Sequence, residues 1–176
     1  TVPVLFRFRD LLRCRIKELN ESFRNAIKEA KYQGKYQGVY PIKVNQQRQV
    51  IEEITEFGTR YDYGLEAGSK PELIAALSYM HNPNAYLICN GYKDDEFIDL
   101  ALTAQKLGIN IFIVLEMPSE LEVILRRAEK LKIRPNLGIR VRLATKGSGL
   151  WQESAGDKSV FGLNTAQVID SVDKLK

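Results

Sequence analysis

Two patterns of hydrophobic and polar positions alternate along the chain: short apolar runs and apolar residues at helical spacing. Residues 2–8 are mostly apolar and predict a leading β-strand. After Asp10, a candidate N-cap, apolar residues recur every three or four positions and predict a long helix with one buried stripe. The stripe consists of Leu12, Ile16, Leu19, Phe23 and Ile27. Gly34 and Gly38 end this helical pattern, and an apolar strand follows at once.

From residue 39 onward, short apolar runs alternate with helical patterns at regular intervals. The predicted strands are residues 39–45, 61–66, 85–89, 111–115 and 137–143. Capping pairs predict where three of the helices begin: Ser69 with Glu72, Ser119 with Glu122, and Asn164 with Gln167. Strands separated by helices form parallel βαβ units. The pattern therefore predicts an α/β fold, with a leading strand and helix in residues 1–33 and about five consecutive βα units in residues 34–176.

Composition and charge exclude several classes of protein. The chain is 44% hydrophobic and 27% charged, which is ordinary for a soluble globular protein. It has no signal-peptide pattern and no apolar run that could span a bilayer, so we predict no membrane association. Cys14 and Cys89 belong to different elements, and we interpret them as reduced thiols in the cytoplasm.

Basic residues are concentrated near the N-terminus. The first 50 residues carry 11 Lys and Arg against 4 Asp and Glu. These basic residues alternate with the apolar stripe of the first helix, as expected for a solvated helix face. We therefore predict no nucleic-acid partner.

Candidate functional residues follow the ends of the predicted strands, where parallel α/β folds gather their functional groups. They are Lys43, Asn45, Glu66, Cys89, Asn90, Glu116, Arg140 and Arg142. A lysine, a carboxylate and an arginine from different strands suit an anionic or aldehyde ligand better than a hydrolytic triad. No spacing of cysteine, histidine or carboxylate residues is typical of a metal site.

Lys43 stands out because it interrupts an apolar strand. A desolvated lysine with a lowered pKa is a nucleophile for aldehydes and forms Schiff bases. The alternative is that Lys43 lies at the end of the strand and extends its amine into solvent. The strand alone leaves both interpretations open.

Gly147, Ser148 and Gly149 begin a polar loop that continues to Lys158. The three residues lack the Lys-Ser/Thr ending of a P-loop. We interpret the loop as a flexible lid, with Trp151 as a gate or a ligand contact.

Several long motifs, in order, resemble the biosynthetic arginine decarboxylases, which are pyridoxal-phosphate decarboxylases built on an alanine-racemase-like TIM barrel. The motifs are VYPIKVNQ, YGLEAGSKPEL, LICNGYKD, LGIRVRL and GSGLWQESAGDKSVFGL. The resemblance implies that Lys43 binds pyridoxal 5'-phosphate covalently, that Glu66 is the acidic residue beside the cofactor, and that Arg142 lies near the cofactor ring. The family usually has lysine where this chain has Val160.

By this resemblance the chain is the first part of a (β/α)8 barrel, and we expect the rest of the barrel and a C-terminal β-domain to be absent. The resemblance implies decarboxylation of L-arginine to agmatine in polyamine biosynthesis, Mg²⁺ as a further cofactor, and a homo-oligomer. We expect the 176 residues alone to be inactive. The alternatives are an ornithine or diaminopimelate decarboxylase, and a flavodoxin-like binding module without enzymatic activity.

Overall fold

The computed structural model describes residues 2–142 and 161–176. The helices are α1 (Arg9–Glu29), α2 (Arg48–Gly58), α3 (Lys70–Leu77), α4 (Asp95–Lys106), α5 (Pro118–Leu131) and α6 (Thr165–Lys174). The strands are β1 (Val39–Pro41), β2 (Gly64–Ala67), β3 (Leu87–Cys89), β4 (Ile111–Leu115) and β5 (Leu137–Ile139). Single 3₁₀ turns, Ile42–Val44 and Thr59–Tyr61, follow β1 and α2.

The five strands form one parallel sheet whose spatial order, β1-β2-β3-β4-β5, is the order of the sequence. This is the arrangement of consecutive strands in the wall of a (β/α)8 barrel, as predicted. A flavodoxin-like sheet would place the second strand at the edge, outside the first. The flavodoxin-like alternative is therefore wrong.

The core lies between the sheet and the helices. Buried strand residues such as Leu65, Leu87 and Ile113 pack with Phe97 of α4 and Ile124 of α5. β4 matches its predicted bounds because all five of its residues are apolar and its neighbours on both sides are strands. No helix in the described part of the chain is both long enough and apolar enough to cross a membrane.

Residues 2–8 were predicted as a strand and have no regular secondary structure. They pair with no strand in the described structure, and their apolar side chains are exposed; Val2, for example, is 82% exposed. A strand requires a hydrogen-bonding partner, which an apolar composition does not supply. The predicted cap Asp10 was also wrong, because α1 begins at Arg9 and its N-cap is Phe8.

Several further boundaries differ from the prediction: β1 ends at Pro41 and β3 begins at Leu87, so both are shorter than predicted. α5 begins at Pro118, so Ser119 and Glu122 are not a capping box; Glu120, in the first turn, accepts hydrogen bonds from backbone N–H groups instead. The predicted start of β2 is occupied by the 3₁₀ turn Thr59–Tyr61. β5 ends at Ile139, and in the described part of the chain beyond it Val141 makes an isolated bridge with Leu163. The caps at Ser69 and Asn164 were predicted correctly.

Candidate functional site

A cavity of about 330 Å³ lies at the carboxyl ends of the strands. All five strands contribute to it, either by a residue within the strand or by one from the segment that follows. Its described lining is Lys43, Glu66, Gly68, Glu72, Asn90, Gly91, Glu116, Arg140 and Phe161. The sequential strand order therefore brings a lysine, carboxylates and an arginine from distant parts of the sequence to one place, as the sequence predicted.

Lys43 lies on the 3₁₀ turn directly after β1, and not within the strand. The turn is anchored by Ile42, which is 1% exposed, while Lys43 is exposed. The hypothesis that this amine is buried away from water is therefore wrong, and the alternative of a lysine at the strand end is correct. The amine nevertheless belongs to the cavity lined by the carboxylates and the guanidinium.

Glu66 is the buried acidic residue of the cavity, with 7% of its surface exposed. Its Oε1 accepts a hydrogen bond from Asn90 Nδ2 at 3.1 Å. Its Oε2 is buried and accepts no hydrogen bond from any described residue. An unpaired carboxylate oxygen in a buried position is unfavourable, so this oxygen is suited to a ligand that donates a hydrogen bond or carries positive charge.

Glu116 and Arg140 form an ion pair on the cavity wall. Glu116 Oε2 lies 3.0 Å from an Arg140 guanidinium nitrogen, and Glu116 Oε1 accepts the Gly91 N–H at 2.8 Å. Arg140 is half-exposed, and its guanidinium lies 5.8 Å from the ring centroid of Phe161. Both residues were among the candidates at the strand ends.

Arg142, in contrast, is absent from the described lining of the cavity. It lies just beyond β5, where its backbone N–H donates to the Leu163 carbonyl at 2.8 Å. Arg140, two residues earlier, is the arginine that the structure places in the cavity. The predicted contact of Arg142 with a cofactor ring stays a prediction, and the proposed lid with Trp151 lies outside the described residues.

The cavity also contains residues that the sequence did not indicate as functional. Glu72 was predicted only as part of a cap, yet its Oε2 accepts the Gly68 N–H at 2.7 Å inside the cavity. Gly91 adopts a φ of +74°, and a Cβ atom there would lie 2.2 Å from the Gly68 carbonyl oxygen. The loops after β2 and β3 therefore touch backbone to backbone. Glycine readily adopts a positive φ, but this close approach is visible only in three dimensions.

Cys89 and Asn45 were strand-end candidates that do not line the cavity. Burial raises the pKa of the Cys89 thiol to about 12, so it stays protonated at neutral pH and is a poor nucleophile. The Asn45 side chain accepts the Gln47 N–H at 3.0 Å, just before α2. Among residues 2–142 and 161–176, no three histidine, cysteine or acidic side chains form a group that could hold a metal ion.

Two solved structures have the same fold. A biosynthetic arginine decarboxylase from Campylobacter jejuni superimposes with a TM-score of 0.85 at 37% identity, covering 96% of this chain and 27% of that protein. A diaminopimelate decarboxylase from Helicobacter pylori superimposes with a TM-score of 0.67 at 20% identity, covering 90% of this chain and 38% of that protein. At that identity the second similarity shows the fold alone.

Curated relatives match nearly the whole chain. A biosynthetic arginine decarboxylase from Gloeobacter violaceus is 51% identical over 99% of the chain, and an arginine decarboxylase from Oryza sativa is 49% identical over the same share. The chain spans 27% and 25% of these proteins, about a quarter of their length. Residues 16–176 match the family model described as the pyridoxal binding domain of pyridoxal-dependent decarboxylases, and the chain belongs to that family.

Proposed function

We propose that the full-length protein containing this chain uses pyridoxal 5'-phosphate to decarboxylate L-arginine to agmatine and CO2. The observation that supports the substrate is the roughly 50% identity to proteins named arginine decarboxylase, at 51% and 53% for two of them. The diaminopimelate decarboxylases of the same fold are only 20–22% identical.

The cavity residues fit the cofactor chemically. Pyridoxal phosphate carries an aldehyde, with which a lysine amine reacts, and Lys43 presents its amine at the cavity. Glu66 Oε2 is a buried acceptor without a donor, as expected where a bound group completes the site. The described lining holds three carboxylates and two cations. It therefore suits the aldehyde group and a hydrogen-bond donor of the cofactor better than the negatively charged phosphate group.

The bound cofactor supplies an electron sink for the electron pair left on the α-carbon when CO2 departs. Lys43, whose side chain lines the cavity, would hold the cofactor covalently through its amine. Glu116 is already engaged by Arg140 and Gly91, and Glu72 by Gly68. Among the carboxylate oxygens of the described cavity, Glu66 Oε2 is therefore the one without a donor and is available to a ligand.

Borohydride reduction of the full-length protein loaded with pyridoxal phosphate tests the assignment of Lys43. We expect a pyridoxyl group on the peptide that contains Lys43, and none on the Lys43→Ala variant. Label on another lysine would refute the role of Lys43. Product analysis with arginine, ornithine and diaminopimelate tests the substrate, and we expect agmatine to be the main product.

We extend the proposal to a homo-oligomer in the cytoplasm, supported by the resemblance and by two cysteines that are both free thiols. We propose Mg²⁺ as a further cofactor on the resemblance alone. Sedimentation of the full-length protein tests the oligomer, and dialysis against EDTA followed by readdition of Mg²⁺ tests the metal.

A further inference from the structure

Lys93, in the loop between β3 and α4, has a completely buried side chain. Its ammonium donates to the Gly91 carbonyl at 2.6 Å and to both carboxylate oxygens of Glu120 at 3.2 Å. Glu120, in the first turn of α5, is itself only 3% exposed. A buried ammonium requires such a complete set of acceptors, because desolvation of an unpaired charge is strongly unfavourable.

Glu120 extends the interaction to the backbone after β4. Its Oε2 accepts the Glu116 N–H at 2.8 Å and lies 3.4 Å from the Met117 nitrogen. The carboxylate also lies at the N-terminus of α5, where the helix dipole favours negative charge. Glu120 therefore fixes the backbone of Glu116, the residue that reaches into the cavity.

The contacts close into a ring around the cavity wall. Gly91 binds Lys93 through its carbonyl and Glu116 through its N–H. The ring thus runs from Lys93 through Gly91, Glu116 and Glu120 back to Lys93. Arg140 is attached to this ring by its ion pair with Glu116.

We propose that the Lys93–Glu120 pair is a positioning device, which holds Glu116, and through it Arg140, in the geometry that receives the cofactor. Neither Lys93 nor Glu120 lines the cavity. A pair that served stability alone could be replaced by neutral residues without a functional effect, because desolvation offsets most of the gain from a buried ion pair. This inference rests on the proposed function.

The test measures pyridoxal-phosphate affinity by absorbance titration of the full-length apoprotein, together with its melting temperature. We expect Lys93→Met to lower the melting temperature. It should also weaken cofactor binding about tenfold or more, because small displacements of the groups that contact a ligand have large effects. Lys93→Met/Glu120→Gln removes the uncompensated charge. The double variant should have a melting temperature close to that of wild type. Its affinity for the cofactor should stay weak, since the Gly91 carbonyl still lacks its donor.

Arg127→Met is the matched control. Arg127 forms a two-bond ion pair with Asp99 that connects α5 to α4, as the Lys93–Glu120 pair connects α5 to the loop before α4, and neither Arg127 nor Asp99 lines the cavity. We expect it to lower the melting temperature and leave the affinity within about twofold of wild type. If Lys93→Met does not fold, the double variant carries the test, because it leaves no unpaired buried charge; its affinity should stay several-fold or more below that of wild type.

The outcomes separate this inference from the function on which it rests. Wild-type affinity in Lys93→Met, or affinity that recovers together with the melting temperature in the double variant, would overturn the positioning role alone. If the wild-type protein takes up no pyridoxal phosphate, the proposed function fails, and this inference fails with it.

Discussion

At the scale of single residues, Glu66 combines an unfavourable environment with a position suited to binding. One of its carboxylate oxygens is held by Asn90 and the other is buried without a donor among the described residues. Glu53, on α2, is a useful contrast. It is as deeply buried, at 2% exposed, but it forms ion pairs with Arg13 and Arg9 that attach α1 to α2. Glu53 Oε2 also accepts no hydrogen bond from a described residue, but it lies 3.6 Å from the Arg9 guanidinium, whereas Glu66 forms no ion pair with a described residue.

Glu66→Gln is expected to leave the melting temperature of the apoprotein unchanged or raised, because it removes a buried charge and keeps the Asn90 contact. It should weaken pyridoxal-phosphate binding about tenfold, the usual effect of losing a charge-assisted hydrogen bond. Glu53→Gln is the control and should lower the melting temperature with unchanged affinity. A large loss of stability in Glu66→Gln would show that Glu66 has a structural role.

The buried thiol of Cys89 is expected to make the stability of the protein depend on pH. Burial raises its pKa from 9.0 to about 12 in the folded protein, so folding favours the neutral thiol. The corresponding stability is fully present below pH 9 and is lost as the pH rises from 9 to about 12. Relative to Cys89→Ala, the wild-type protein should lose roughly 1 kcal/mol of stability per pH unit in that window. If the stabilities of the two proteins change in parallel from pH 8 to about 11, this prediction is contradicted.

At the scale of elements, the starts of α3 and α6 are encoded by local caps at Ser69 and Asn164. Asn164 and Gln167 form a reciprocal cap in which each side chain accepts the other's backbone N–H at 2.9 Å. At the start of α5, the carboxylate of Glu120, in the first turn, accepts the backbone N–H of Glu116, which precedes the helix. Both caps are formed by residues close in sequence. The pair Asn164 and Gln167 matches a known capping pattern and was predicted, whereas the contact of Glu120 does not match the pattern that was assigned to Ser119 and Glu122.

Asn164→Ala is expected to destabilise the first turn of α6 by about 1 kcal/mol, because it removes the acceptor for the Gln167 N–H. Hydrogen exchange of the α6 amides in the full-length protein should then be faster by about fivefold, the equivalent of that energy. Asn164→Ser, which keeps a cap oxygen, should exchange nearly as slowly as wild type. Equal exchange in Asn164→Ala and wild type would mean that the cap contributes nothing.

The residues that were predicted wrongly show what local patterns omit. The apolar run 111–115 was predicted to the residue, because strands on both sides make its pattern continuous. Lys43 was placed in a strand because nothing in its neighbours indicates a 3₁₀ turn. The partner of Lys93 is 27 residues away, so the buried pair has no local signature at all. Contacts between distant loops depend on where individual side chains lie in three dimensions, which only the structure supplies.

At the scale of the molecule, apolar surface is exposed around the N-terminus. Leu5, Phe8, Leu11 and Val44 are each more than 60% exposed, and they line a groove of about 900 Å³. In the described sheet, β1 pairs only with β2, so its other side offers unpaired backbone groups. Exposed apolar patches and open strand edges both promote association.

Expressed alone, the 176-residue chain is therefore expected to self-associate and to produce no agmatine from arginine. Sedimentation should give species heavier than the 20.1 kDa of one chain. Leu5→Glu/Leu11→Glu should reduce the association by placing charge in the groove. A monodisperse 20.1 kDa species, or measurable agmatine, would refute this expectation.

The contact between Gly91 and the Gly68 carbonyl limits how this region can change in evolution. With the two turns pressed together, an inserted residue in either one would have to displace the other and the cavity wall with it. Length variation among descendants of this sequence should accordingly accumulate away from these two turns. A library of single-codon insertions, selected for a functional full-length protein, would be depleted at both.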